Sequence, residues 1–191
     1  LQKTAKELGG QVWHNVDLLE EINYLVEYPT PLYGRIDEEF LDLPVPAVVT
    51  PMRDHQRYYP VRKEDGSLMP YFLTVRNGGD RAIRNVQIGN ERVLRARLDD
   101  AKFFFDGDRR KSLEGHREAL SRINYQEGMG TMLDKSDRLV KLVEAIGEDW
   151  NFTDTEKADV RRAAYLSKSD LATGMVTEFT ELQGEMGKEY A

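Results

Sequence analysis

Residues 57–75 read RYYPVRKEDGSLMPYFLTV, two aromatic-rich alternating runs joined by a short polar connection. Asp65-Gly66 in that connection is a turn signal, so the segment is expected to form a β-hairpin. A period of two puts Tyr59, Val61, Tyr71 and Leu73 on one face and Tyr58, Arg62, Phe72 and Thr74 on the other. Pro60 and Pro70 have no amide to give to a ladder, so each is expected on an edge or at a strand end. The hairpin commits this part of the chain to a sheet.

Around it the pattern is mostly helical. Upstream, DLLEEINYLVEYP places Leu18, Leu19, Ile22, Leu25 and Val26 at helical spacing, with Pro29 where the helix could stop. TPLYGRI reads as a short strand, and DEEFLDLPVPAVVTPM, broken by Pro44, Pro46 and Pro51, as a short helix or turns. Downstream, NVQIGNERVLRARLDDAKFFF is the clearest helix, with Leu94, Leu98, Ala101 and Phe105 as its buried stripe. Arg92, Arg95, Asp99 and Lys102 lie on another face, where Glu91–Arg95 and Arg95–Asp99 have ion-pair spacing. After Ser112 the pattern is helical with almost no strand signal; the glycines of QEGMGTM and LQGEMG suit tight turns or close helix contacts. Neither glycine segment matches a phosphate-binding fingerprint. The fold class is therefore α+β, with an α+β module over 1–111 that ends in a basic helix and a helical domain over 112–191.

Composition narrows the chemistry. The 191 residues include no cysteine and three histidines, His14, His55 and His116, which removes disulfides and thiolate sites and leaves little for imidazole-rich metal centres. No run approaches the roughly 18 apolar residues of a membrane span. The opening LQKTAKELGG is polar and helix-like rather than a signal peptide, and since the first residue is not Met, an interior section of a longer chain is expected. Net charge is −7, unevenly spread: residues 53–111 carry 14 basic and 9 acidic side chains, whereas 1–52 carry 3 and 9 and 112–191 carry 10 and 16. Screening limits exposed charges to roughly 8–10 Å, so the local sign of the middle third governs what it can bind.

No nucleophilic triad emerges, and Ser67 sits in the hairpin turn. The basic middle suits a polyanion: Arg53, Arg57, Arg62, Arg76, Arg92, Arg95, Arg97 and Lys102 are candidates for phosphates, and Tyr58, Tyr59 and Tyr71 for stacking on unpaired bases. The same arginines are equally compatible with a solvated, internally paired surface, and the tyrosines with sheet packing. Pattern alone thus gives an α+β protein with a candidate RNA contact.

LVEYPTPLYGRIDEEFLDLP, MRDHQRYYPV, DGSLMPYFLTVRN, GNERVLRARLDDAKFFF, YQEGMGTMLDKSDRL and KSDLATGMVTEFTELQGEMGKEYA together, in this order, resemble the beta subunit of the bacterial two-subunit glycyl-tRNA synthetase. The likeness runs from about Glu7 to Ala191. It implies an interior fragment comprising the end of a mixed α/β editing-type module and the start of an all-helical, HD-like domain. It further implies a ligase subunit that supports ATP-dependent attachment of glycine to tRNA by binding and positioning tRNA, in the cytoplasm. Glycine activation, with ATP and magnesium, would lie in the alpha subunit of an alpha2-beta2 assembly, and this segment would hold no cofactor and no catalytic or metal-binding residue. Where an HD enzyme shows paired His and Asp, the chain has KSDL at 168–171 with no imidazole nearby. The residues put forward for tRNA contact are Arg53, His55, Gln56, Arg57, Arg76, Arg92, Arg95, Arg97 and Lys102, with packing between domains as the other role open to the DHQRYYPV segment. The competing readings are a stand-alone HD-type metal phosphohydrolase and a non-catalytic interaction scaffold.

Overall fold

A computed structural model describes all of residues 1–191, which divide into two compact units, 1–103 and 104–191. The first unit runs α1 (Gln2–Glu7), β1 (Gln11–Val12), α2 (Val16–Leu25), β2 (Pro29–Arg35), a 3-10 turn (Glu38–Asp42), α3 (Val45–Thr50), a π-helical turn (Pro51–His55), β3 (Tyr59–Arg62), β4 (Leu68–Asn77) and most of α4 (Ile83–Asp108). Its sheet has the order β1-β3-β4-β2, antiparallel throughout. The chain is mixed in secondary structure, as the α+β reading requires.

The β3–β4 hairpin turns at Asp65–Gly66, where Asp65 Oδ1 accepts from the Ser67 amide (2.9 Å) and hydroxyl (2.7 Å). Alternation places the side chains as the pattern predicts. Tyr59, Val61 and Leu73 join Ala5, Val12, Leu18 and Ile22 in one core cluster, with Tyr71 packed against it. On the opposite face Tyr58 stacks on Phe72, ring centroids 4.4 Å apart. Gly34 of β2 lies opposite Phe72, and a Cβ there would come within 2.2 Å of the ring.

Pro60 lies one residue from the start of β3, at the strand end its missing amide allows, although β3 and β4 are the central pair rather than edges. Pairing shifts between Pro60↔Phe72 and Arg62↔Leu68, so β4 accommodates extra residues, Pro70 among them. A bulge leaves an unpaired position in the ladder, which is where a residue without an amide hydrogen is tolerated. The true edge on the far side is β2, which carries Pro29 and Pro31 and whose Arg35 amide donates to Glu91 Oε1 of α4 (3.0 Å).

Helix α2 begins at an Asn15 cap, whose side chain accepts from the Leu18 amide (2.8 Å). Only Leu18 and Ile22 of its apolar stripe are buried, while Leu19 and Leu25 are exposed. In α4 the stripe is Leu94, Leu98 and Ala101, all fully buried, and Phe105, which stacks on Tyr190 of the second unit's own C-terminal helix.

The second unit continues with α5 (Leu113–Arg117), a 3-10 turn (Glu118–Arg122), β5 (Asn124–Gln126), β6 (Gly130–Thr131), α6 (Met132–Asp149) and α7 (Asp154–Leu166). It ends with a 3-10 turn (Ser169–Ala172), α8 (Gly174–Glu178), another 3-10 turn (Thr180–Leu182) and α9 (Glu185–Tyr190). The expectation of an all-helical domain is corrected here: β5 and β6 form a two-stranded antiparallel hairpin. Gly128 (φ 75°) and Gly130 (φ 80°) take the left-handed backbone its turn demands. Such short strands are too brief to leave an alternation signal. Both α6 and α7 start with reciprocal capping boxes, Thr131 with Asp134 and Thr153 with Glu156. The pair is clasped by Lys157–Glu148 and Arg161–Glu144, each at 2.8 Å.

Three buried charged side chains organise this unit. Arg117 donates through Nε to the Tyr165 carbonyl (3.0 Å) and through Nη2 to Asp137 Oδ1 (2.5 Å). Its guanidinium centre also lies 3.9 Å from the Tyr165 ring centroid. Asp108 accepts from the Gly174 and Met175 amides and the Tyr190 hydroxyl. Asp170, within KSDL, accepts from the Gly184 amide at 2.6 Å. A buried carboxylate is tolerated only with such partners, so this aspartate is tied into packing.

Candidate nucleic-acid interface

A cleft of about 610 Å³ between the β2–β4 edge and the N-terminal half of α4 gathers four arginines of the first unit. Arg84, Gln87, Ile88, Glu91, Arg92 and Arg95 recur at steps of three and four, so one face of α4 forms its wall. The strand side contributes Tyr33, Arg35, Asp37 and Tyr71. Four guanidinium groups thus face two carboxylates, leaving an excess of positive charge.

Those charges are unequally committed. Arg95 pairs with Asp37, and Arg35 with Glu38 at 2.8 Å. Arg84 donates to the neutral side chain of Gln87 (2.9 Å). Arg92 is exposed and has no ion-pair or hydrogen-bond partner within the chain. The expected pairing along the helix is redirected: Arg95 reaches the loop after β2, and Glu91 takes a strand amide. Partners across the cleft replace neighbours four residues along because the strand edge presents an unpaired N–H and an acidic loop.

The tyrosines sort by burial. Tyr58 and Tyr59 are core residues, and burial pushes both phenols up to about 12, with the Glu21 charge assisting at Tyr59. Neither offers a base platform. Tyr71 is half-buried and lines the cleft, edge to face with Tyr33 at 6.3 Å between centroids.

The remaining predicted residues fall elsewhere. Arg53, His55, Gln56 and Arg57 occupy the π-helical turn and the step into β3, and none of them lines the cleft. Arg53 pairs with Asp54 (3.0 Å) and Arg57 with Glu21 (2.5 Å), so two of these guanidinium groups already have carboxylate partners. Arg57 adopts a left-handed backbone (φ 58°) that ends the turn and launches the strand. Arg76, near the end of β4, donates to the Arg81 carbonyl (2.7 Å). Arg97 and Lys102 lie further along α4, both half-buried and outside the cleft. The structure therefore unites Arg92 and Arg95 and adds Arg35, Arg84 and Tyr33, which sequence reasoning missed. The signal for Arg84 was present, since it continues the Arg92 face by two helical steps of four.

No group of three or more His, Asp or Glu side chains is arranged to hold a metal ion, and no helix is long and apolar enough to cross a membrane. His116 Nε2 instead lies 3.0 Å from the Asp108 carbonyl.

The family model described as "Glycyl-tRNA synthetase beta subunit" matches residues 1–191. A protein of Clostridioides difficile named glycine–tRNA ligase beta subunit is 53% identical over 189 residues, covering 99% of this chain and 27% of its own length. Proteins of the same name from Halothermothrix orenii and Bacillus subtilis are 50% and 44% identical over 191 residues, each covering all of this chain and 28% of their own length. The chain thus spans somewhat over a quarter of these relatives. With its whole length matched by the family model, the chain belongs to the glycyl-tRNA synthetase beta subunit family.

Proposed function

We propose that this chain is a tRNA-handling section of a glycine–tRNA ligase beta subunit, supporting the attachment of glycine to tRNA without carrying the bond-forming chemistry. The observation that carries this reading is the α4 cleft, where Arg84 and Arg92 stand without carboxylate partners beside two tyrosines in a member of this family. An arginine that neutralises a phosphate displaces a counterion condensed on the nucleic acid, and one without a carboxylate partner does so without breaking an existing pair. Arg92 meets that condition better than Arg53 or Arg57, which are already paired. The pairing of these two favours a packing role for the DHQRYYPV segment.

Adenylate formation, with ATP and magnesium, is assigned to the alpha subunit in an alpha2-beta2 assembly within the cytoplasm. The residues here offer no carboxylate or imidazole cluster for a metal. We assign residues 1–111 to the end of an editing-type module and 112–191 to the start of a degenerate HD-like domain. The burial of Asp170 against the Gly184 amide supports the structural use of KSDL over metal binding.

The test is filter binding of glycine tRNA to the full alpha–beta assembly. Arg84→Ala and Arg92→Ala together should weaken binding, and each lost phosphate contact should reduce the salt slope by about one. Unchanged affinity and unchanged slope would remove the cleft from the tRNA footprint.

A further inference from the structure

The same cleft has a feature that phosphate binding does not call for. Tyr33 keeps 40% of its surface exposed although it is a sheet residue, and it meets Tyr71 at an interplanar angle of 76° inside the basic lining. Duplex RNA hides its base faces in its own stack and presents only phosphates, hydroxyls and groove edges. An open aromatic ring beside guanidinium groups without carboxylate partners is of little use to a duplex. An unpaired nucleotide uses both: its backbone meets the cations and its base lies on the ring. The cleft's size, about 610 Å³, falls in the range of sites that enclose a small ligand.

The arrangement along α4 fits the same ligand. Arg84 and Arg92 are eight residues apart, roughly 12 Å along the helix axis, so positive charge extends along the wall. Arg35 and Arg95 are already neutralised by Glu38 and Asp37, and the second pair ties α4 to the loop after β2. Gln87 lies in the lining between the two arginines; its oxygen accepts from Arg84, so what it offers a base edge or ribose is its amide N–H.

We propose that the α4 cleft is a site for a single unpaired nucleotide of RNA, its base stacked on Tyr33 and its phosphates held by Arg84 and Arg92. This rests on the reading of the cleft as a tRNA contact and adds that the contact is to single-stranded rather than helical RNA.

The full-length beta subunit assembled with its alpha partner is titrated with glycine tRNA, with an unstructured oligoribonucleotide and with a blunt RNA duplex of equal length. Tyr33→Ala and Tyr33→Leu should each weaken the single strand about 5- to 150-fold, the range expected for one base–aromatic stack. Tyr33→Phe should retain wild-type binding, and the duplex should bind all variants alike. Tyr33→Leu keeps apolar bulk on the strand, and circular dichroism verifies folding of each variant. If Arg84→Ala with Arg92→Ala weakens tRNA while the Tyr33 variants bind the single strand normally, the cleft is a phosphate contact and the unpaired-nucleotide site is rejected. If none of the variants alters binding of any RNA, the tRNA reading itself fails.

Discussion

Asp108, at the end of α4, caps a helix that begins 66 residues later: its Oδ1 accepts the Gly174 amide at 2.7 Å. Its other oxygen takes the Met175 amide (2.9 Å) and the Tyr190 hydroxyl (3.0 Å). The first amides of a helix have no partner within it, and a carboxylate there satisfies the donors and complements the dipole. Burial and the Asp108 charge together push the Tyr190 phenol well above its ordinary range, so it stays protonated as a donor.

Replacing Asp108 leaves three donors without an acceptor in the interior of the second unit. Asp108→Ala is expected to cost about 2–4 kcal/mol, and Asp108→Asn, which keeps one oxygen, about half as much. Denaturant unfolding of the full-length subunit, followed by near-ultraviolet dichroism, measures both.

Arg117 is the corresponding keystone for α5, α6 and α7. Asp137 is half-exposed, so the ion pair is screened and contributes little alone; the Tyr165 carbonyl and ring carry more. Arg117→Lys loses the planar fork and is expected to cost about 1–2 kcal/mol, and Arg117→Ala about 2–4 kcal/mol. Asp137→Asn should remain within about 1 kcal/mol of wild type. The same unfolding measurement ranks the three.

Gly34 is a packing requirement rather than a turn. A methyl group there would collide with Phe72, itself pinned by Tyr58. Gly34→Ala is expected to destabilise by about 1–3 kcal/mol, as overpacked cores do. Adding Phe72→Leu to Gly34→Ala should recover part of that loss, and a double-mutant cycle in thermal unfolding reads the coupling.

Acid should act on helix starts before cores. Hydrogen bonds from Thr131 hold the Asp134 carboxyl below the usual carboxylate range, and those from Thr153 do the same for Glu156. A carboxyl depressed on folding stabilises the native state above its unfolded value, and that contribution is lost as pH falls through the folded value. The amides of the first turns of α6 and α7 should therefore exchange hydrogen faster relative to mid-helix amides as pH drops below the ordinary carboxylate range. In Glu156→Gln this relative acid response should disappear for α7 alone.

Elements whose side chains answer to their own neighbours were readable in the sequence. The Asp65–Gly66 hairpin and the Leu94–Leu98–Ala101 stripe both arise from residues within a few positions of one another. Elements decided by distant partners were not. Pro60 and Pro70 suggest an edge until β1 and β2 are seen to flank their strands. Asp108, Arg117 and Asp170 look like surface charges because Gly174, Tyr165 and Gly184 lie 66, 48 and 14 residues away. The cleft was half visible: Arg92 and Arg95 shared a helix, but Tyr33 and Arg35 join them only when β2 docks beside it.

Even-numbered residues of β2 turn their amides toward β4, as Ile36 beyond its end still does to the Pro70 carbonyl, so odd-numbered ones face outward. Of those outward positions, Pro29 and Pro31 have no hydrogen to offer and Arg35 has surrendered its own to Glu91. Only Tyr33 retains one, which is too little for another strand to zip onto. Whatever docks along this margin must therefore recognise side chains rather than extend the ladder, and chains crowded together during synthesis find no seam for sheet fusion on this side.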